Sequence, residues 1–161
     1  MLEKQYGTPI QVRRNYRKQF DKIINRVQNK KACGIIYNVP PVFSSVITNR
    51  LLDEGKHIAI DARSAYTYDM LFFRLSRYLK IPKIKAAMLP AALEGKILTI
   101  TNADFITNNY ARVMEDCSKN NIPLLLLFRT QEPLDSIRKF HSYNRILTIE
   151  QDYSEFLITK N

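Results

Sequence analysis

Glycine is scarce in this chain, with four among 161 residues, and no two of them are close together. A glycine-rich loop that lets backbone N–H groups close around a phosphate cannot be assembled from residues so dispersed. Tryptophan is absent, and there are two histidines and two cysteines. His57 and His141 have neither carboxylate nor cysteine at metal-ligand spacing, so no metal centre is expected and both read as surface residues. Cys33, at the head of an apolar run, and Cys117, in a helical segment, stand apart from any CxxC pattern and read as buried free thiols of an intracellular protein. No segment approaches the ~18 consecutive apolar residues of a membrane span, and the N-terminus lacks the apolar stretch of a secretory signal. We therefore expect a soluble, cytoplasmic chain with no membrane partner.

Acidic residues are also in deficit, 15 against 25 lysines and arginines, which leaves a formal charge of +10. The excess is uneven. Residues 1–31 carry Lys4, Arg13, Arg14, Arg17, Lys18, Lys22, Arg26, Lys30 and Lys31 against Glu3 and Asp21, which accounts for +7. Between Ile10 and Lys31 the apolar Tyr16, Phe20, Ile23, Ile24 and Val27 fall on one helical stripe with the cations around it. The pattern divides the chain into a basic N-terminal arm over 1–31 and a core over 32–161. Arg13, Arg14, Arg17, Lys18, Lys22 and Arg26 are candidates for phosphate contact, giving salt-sensitive and largely sequence-independent binding of nucleic acid, most readily DNA.

Beyond the arm, apolar runs alternate with helical periods. Ala32 to Val39 reads as a buried strand stopped by Pro40 and Pro41, and Val42 to Asp53 as a helix with Val42, Val46, Leu51 and Leu52 toward the core. His57 to Asp61 is a second strand. Ser64 or Asp61 is placed to cap the helix through Tyr68, Leu71, Phe72, Leu75 and Leu79, in which Tyr66, Tyr68 and Tyr78 are explained by packing. A third strand over Lys96 to Thr101, a helix over Asn108 to Asn120 and a nearly all-apolar strand over Pro123 to Arg129 follow. A helix over Pro133 to Phe140, a strand over Arg145 to Ile149 and a final turn over Tyr153 to Ile158 complete the chain. Such alternation predicts an α/β fold, a three-layer doubly wound and mainly parallel sheet. Asp61, Arg63 and Asp69 read as a solvated surface. Ser44 and Ser45 lack the flanking glycines of a nucleophile elbow and read as helix-start residues.

In open α/β sheets ligands bind beyond the carboxyl ends of the strands, which directs attention to Tyr37-Asn38-Val39-Pro40-Pro41-Val42-Phe43-Ser44. Laid on G-x-x-x-x-G-K-[ST], Tyr37 and Val42 occupy the glycine positions, Phe43 the lysine position, and Ser44 alone fits. In the third strand, Thr101 and Asn102 stand where two carboxylates would hold Mg²⁺ and activate water, and Asp104 comes two residues late. From Lys31 to about Gln151 the order and spacing of elements resemble the AAA+ P-loop ATPases, in the branch of Mu B-like transposition-accessory and helicase-loader proteins. Leu126-Leu127-Phe128-Arg129-Thr130 resembles the strand ending in a polar sensor in that branch, and Asn144-Arg145-Ile146 the place where it often has an arginine. The resemblance implies interfaces through the sides of the sheet, where Arg129 and Arg145 become candidates. It also implies work on DNA or on another AAA+ ATPase, or self-association, and no room after Asp152 for the family's helical lid. The degenerate motifs lead us to expect no cofactor and no ATP turnover, hence a DNA-associated adaptor for a process such as transposition. The alternatives are a module that inhibits or loads an active AAA+ ATPase, and an enzyme that binds nucleotide at an unconventional site.

Overall fold

The computed structural model describes the backbone of residues 2–5, 8–12, 16–106 and 110–159, and the side chains of 18–106 and 110–155. Its elements in chain order are β1 (Leu2–Gln5), β2 (Thr8–Val12), α1 (Tyr16–Lys30), β3 (Cys33–Tyr37), α2 (Pro41–Asp53), β4 (His57–Asp61), α3 (Tyr68–Leu79) and α4 (Leu89–Leu93). They continue as β5 (Ile97–Thr101), α5 (Tyr110–Lys119), β6 (Leu124–Leu127), α6 (Leu134–Tyr143), β7 (Thr148–Asp152) and β8 (Leu157–Thr159).

Leu124-Leu125-Leu126-Leu127 has no polar side to turn toward water, and it becomes the middle strand of a five-stranded sheet ordered β4-β5-β6-β3-β7. Every pairing in this sheet is parallel, as expected of strands covered on both faces. α1 and α2 cover one face, where Phe20, Ile24, Val27, Phe43, Ile47 and Leu51 meet Ile36, Leu125 and Leu127. The helices α3 to α6 cover the other, where Leu71, Leu75, Leu89, Val113 and Ile137 meet Ile35, Leu98, Leu124 and Leu126. Gly34 lies where α1 crosses β3; a Cβ there would stand 2.6 Å from Val27 Cγ2 and 3.0 Å from Leu125 Cδ1.

Some local expectations are corrected. The helix expected from Ile10 starts at Tyr16, because Thr8, Ile10 and Val12 follow the two-residue period of a strand; Thr8–Val12 pairs with β1 and β8 in a small antiparallel sheet. In α2, Val42, Val46 and Leu52 are 48%, 39% and 43% exposed, while Phe43, Ile47 and Leu51 are buried. The apolar residues of α2 come in adjacent pairs, offering two stripes about 100° apart, and the one with the larger side chains gains more by burial. Thr67, not Asp61 or Ser64, caps α3, its Oγ1 accepting from the Met70 N–H at 3.3 Å. The last strand of the sheet lies three residues later than its apolar run, because α6 extends to Tyr143 before the chain turns back through Arg145 in the left-handed region.

Candidate functional site

The loop between β3 and α2 is held by its own backbone. Val39 N–H donates to the Phe128 carbonyl at 3.0 Å, and Phe128 N–H donates to the Ile36 carbonyl at 2.9 Å. Pro40 and Pro41 have no N–H, and the Pro40 carbonyl accepts from Phe43 N–H at 2.9 Å and Ser44 N–H at 3.1 Å to open the helix. Of the backbone donors in this loop, Pro40 and Pro41 have none to give, and those of Val39, Phe43 and Ser44 are used within the fold. The motif residues diverge. Tyr37 is half-buried below the Arg138 guanidinium, 6.0 Å from its ring centre, and Val42 faces solvent. Phe43 is 1% exposed with its ring 5.3 Å from that of Tyr153, so the lysine position points into the core.

Ser44 faces a cleft of about 390 Å³ lined by Pro41, Ser45, Thr48 and Asn49 of α2 and by Asp61, Arg63, Thr101 and Asn102 at the strand ends. Three of the motif positions, Ser44, Thr101 and Asn102, therefore meet in one hollow. Asp61 and Arg63, which read as solvated surface, supply its charge. The Arg63 guanidinium donates to Asp61 Oδ2 at 3.0 Å and 2.7 Å, the Arg63 backbone N–H donates to Oδ1 at 2.9 Å, and Asn102 Nδ2 donates to Oδ1 at 3.1 Å. Partial burial pushes the Asp61 carboxyl up, but these bonds outweigh it and hold the group below the usual carboxylate range. Asp69 belongs to a different hollow, with Phe73, Arg74 and Arg77. Strand order was the missing signal: once β4 pairs with β5, Asp61 falls opposite Thr101.

The cleft offers hydroxyls, two amides and one carboxylate already neutralised in a forked ion pair. That set can orient a polar group, and its one carboxylate and one cation are already paired with each other. Asp104 is used elsewhere. Its Oδ1 accepts from Arg129 N–H at 2.7 Å, and its Oδ2 accepts from the Thr130 N–H and hydroxyl at 3.1 Å each. Arg129 lies across Phe105, 4.7 Å from its ring centre, so the turn after β6 is pinned by carboxylate and aromatic together. Arg145 is exposed at the amino end of β7, the other end of the sheet from Arg129.

Of the candidate phosphate contacts, Arg13 and Arg14 lie outside the described residues, and Arg17 is described in backbone only, within the first turn of α1. Lys18, Lys22 and Arg26 are exposed and, with Lys30, form a row at four-residue spacing along α1. None of the four is ion-paired among the described residues, whereas Asp21 of the same helix is bonded to Arg50 at 2.7 Å. Opposite this row, Phe20, Ile24 and Val27 sit in the core, so α1 is a packed layer of the domain as well as its most basic surface.

Both histidines, expected at the surface, are buried, at 3% for His57 and 2% for His141. Loss of hydration pushes each down to about 4. His141 is held by Thr148 Oγ1 at 2.7 Å and Met114 Sδ at 3.0 Å. Cys33 and Cys117 are buried free thiols, both raised by desolvation, Cys117 to about 12. Among the described residues no cluster of His, Cys, Asp or Glu could hold a metal ion, and no helix is long and apolar enough to cross a membrane.

No family model matches the sequence, and no curated protein matches it significantly. Solved structures do. A chain of the structure of Drosophila ORC bound to AT-rich DNA and Cdc6 superposes with a TM-score of 0.59 at 14% identity, covering 86% of this chain and 53% of that one. A Walker-type ATPase of Pyrococcus abyssi superposes with a TM-score of 0.57 at 14% identity, covering 88% and 55% respectively. The chain spans about half the length of the structures it matches. Together with the all-parallel strand order, these likenesses show a P-loop ATPase-like α/β fold.

Proposed function

We propose that this domain is a non-hydrolysing adaptor built on the P-loop ATPase fold, attaching to DNA through the basic face of α1 and to a protein partner through the core. The observation that carries the first half is Phe43. A core side chain occupies the lysine position, the loop before it has prolines in place of phosphate-binding amides, and the carboxylate of the cleft is already bonded to Arg63. The row Lys18, Lys22, Arg26 and Lys30 supports the second half, since unpaired cations at helical spacing suit phosphates spaced along a backbone. The neighbour bound to AT-rich DNA adds an analogy of fold, no more.

Two titrations test the reading. Calorimetry with Mg-ATP should detect no binding; micromolar affinity would contradict the non-hydrolysing half. Anisotropy with labelled duplex DNA should show affinity that falls steeply with salt and is insensitive to ATP. Replacing Lys18, Lys22 and Arg26 together by alanine should make that salt dependence shallower by about 3 in slope, near 0.9 for each phosphate no longer neutralised. An unchanged slope would remove α1 from the DNA-binding surface. A partner module without DNA is the second reading, favoured by exposed Val42 and Val46 beside the cleft. It is separated by recovering partners from the native host with and without nuclease.

A further inference from the structure

On the opposite face of the sheet from α1, helix α3 carries a second basic surface of different character. Phe73 is 60% exposed, the most exposed phenylalanine among the described residues. It stands as a wall between two hollows. One, of about 510 Å³, has a floor of Phe72 and Ile84 and a rim that includes Arg77, Lys80 and Lys83. The other, of about 580 Å³, is bordered by Arg74, Arg77 and Met70, with the Asp69 carboxylate at its edge. Both lie within the ~300–1,000 Å³ range of small-ligand sites.

The cations around Phe73 are uncompensated. Arg50, Arg63, Arg129 and Arg138 each have a carboxylate within ion-pair distance, but among the described residues Arg74, Arg77, Lys80 and Lys83 have none. Arg77 lies instead against the Phe73 ring itself, 5.7 Å from its centre. An exposed aromatic ring with a guanidinium against it and further unpaired cations around it is the combination by which proteins hold unpaired bases and their phosphates. A duplex keeps its bases stacked inside and would present only phosphates to this ring. We infer that the α3 surface binds single-stranded nucleic acid, with a base stacked on Phe73 and the adjoining phosphates on Arg77, Lys80 and Lys83. The inference is independent of the DNA-binding role assigned to α1, whose residues lie across the sheet.

Because the chain has no tryptophan, Phe73→Trp in the full chain places a single indole reporter at the site. Its fluorescence should be quenched by an oligo(dT) strand and left unchanged by an abasic strand of equal length, by a blunt duplex and by polyglutamate. In anisotropy, Phe73→Ala should weaken oligo(dT) binding about 5- to 150-fold, the range expected for removing one base stack. Its melting temperature should be unchanged, because the ring is not part of the core. Absence of quenching by oligo(dT) at low salt, or undiminished affinity in Phe73→Ala, overturns the proposal. Equal response to the abasic strand would reduce the surface to a phosphate-binding one, and equal response to polyglutamate would make it a docking site for an acidic protein; either outcome also overturns it.

Discussion

The most direct perturbation of the proposed reading is Phe43→Lys, which places a lysine where the G-x-x-x-x-G-K-[ST] pattern has one. If the position can still serve a phosphate, the substitution would give phosphate affinity; if it is part of the core, it will destabilise the domain instead. Phe43 is 1% exposed, packs on Tyr153 at 5.3 Å between ring centres, and shares a cluster with Ile47, Leu51, Ile36 and Leu127. Truncating such a ring costs about 3–5 kcal/mol, of which about 0.5–1.5 is the aromatic pair. A lysine forfeits the same packing and must also strip water from its ammonium or bend outward. At about 2–4 °C per kcal/mol for a chain of this size, the melting temperature should fall by about 6–20 °C. Circular dichroism on heating reads the fall, and calorimetry with Mg-ATP reads any gain of binding. A Phe43→Lys protein that melts within a few degrees of the parent and binds Mg-ATP would refute the argument that the site was lost to packing.

Three further outcomes are expected. His57 and His141 both sit at about 4 in the fold, below their ordinary 6.5; the unfolded chain therefore binds more protons between these values. Stability should fall as pH drops from about 6.5 to 4, by up to about 3 kcal/mol for each histidine, seen as falling urea midpoints that His57→Leu makes less steep. Asp104→Ala leaves the Arg129 and Thr130 amides without their carboxylate and should cost about 1–3 kcal/mol, with faster hydrogen exchange at Thr130 as the local signature. Gly34→Ala forces a methyl to within 2.6 Å of Val27 Cγ2 and should destabilise by about 1–3 kcal/mol, a penalty that Val27→Ala in the same chain partly relieves.

What could be read from the sequence was whatever rests on local pattern. Leu124 to Leu127 is apolar without interruption and could only be a buried strand, and the alternation around it set the fold class. The overlay of Phe43, Thr101 and Asn102 on the motif positions rests on spacing along one loop and one strand, and what the structure adds is where those side chains lie. What could not be read depended on three-dimensional choice. The adjacent apolar pairs of α2 left its buried face undecided between Val42 and Phe43. Asp61 joined Thr101 and Asn102 because β4 pairs with β5, an outcome of strand order rather than spacing. Asp104, two residues beyond the expected carboxylate positions, had no role legible in the sequence, because its partners are backbone amides 25 and 26 residues away.

The position of β3 sets the order in which the chain can fold. Its two neighbours are β6 and β7, so the strand beginning at Cys33 has no partner until Leu124 exists, roughly ninety residues later. At about 5–20 residues per second, a nascent chain carries β3 without a strand partner for about 5–20 seconds. During that interval the two unpaired edges of β3 are open to chaperones or to other nascent chains. A message truncated before the codon for Leu124 would yield a polypeptide in which β3 has neither of its strand partners, while β4 and β5 could still pair.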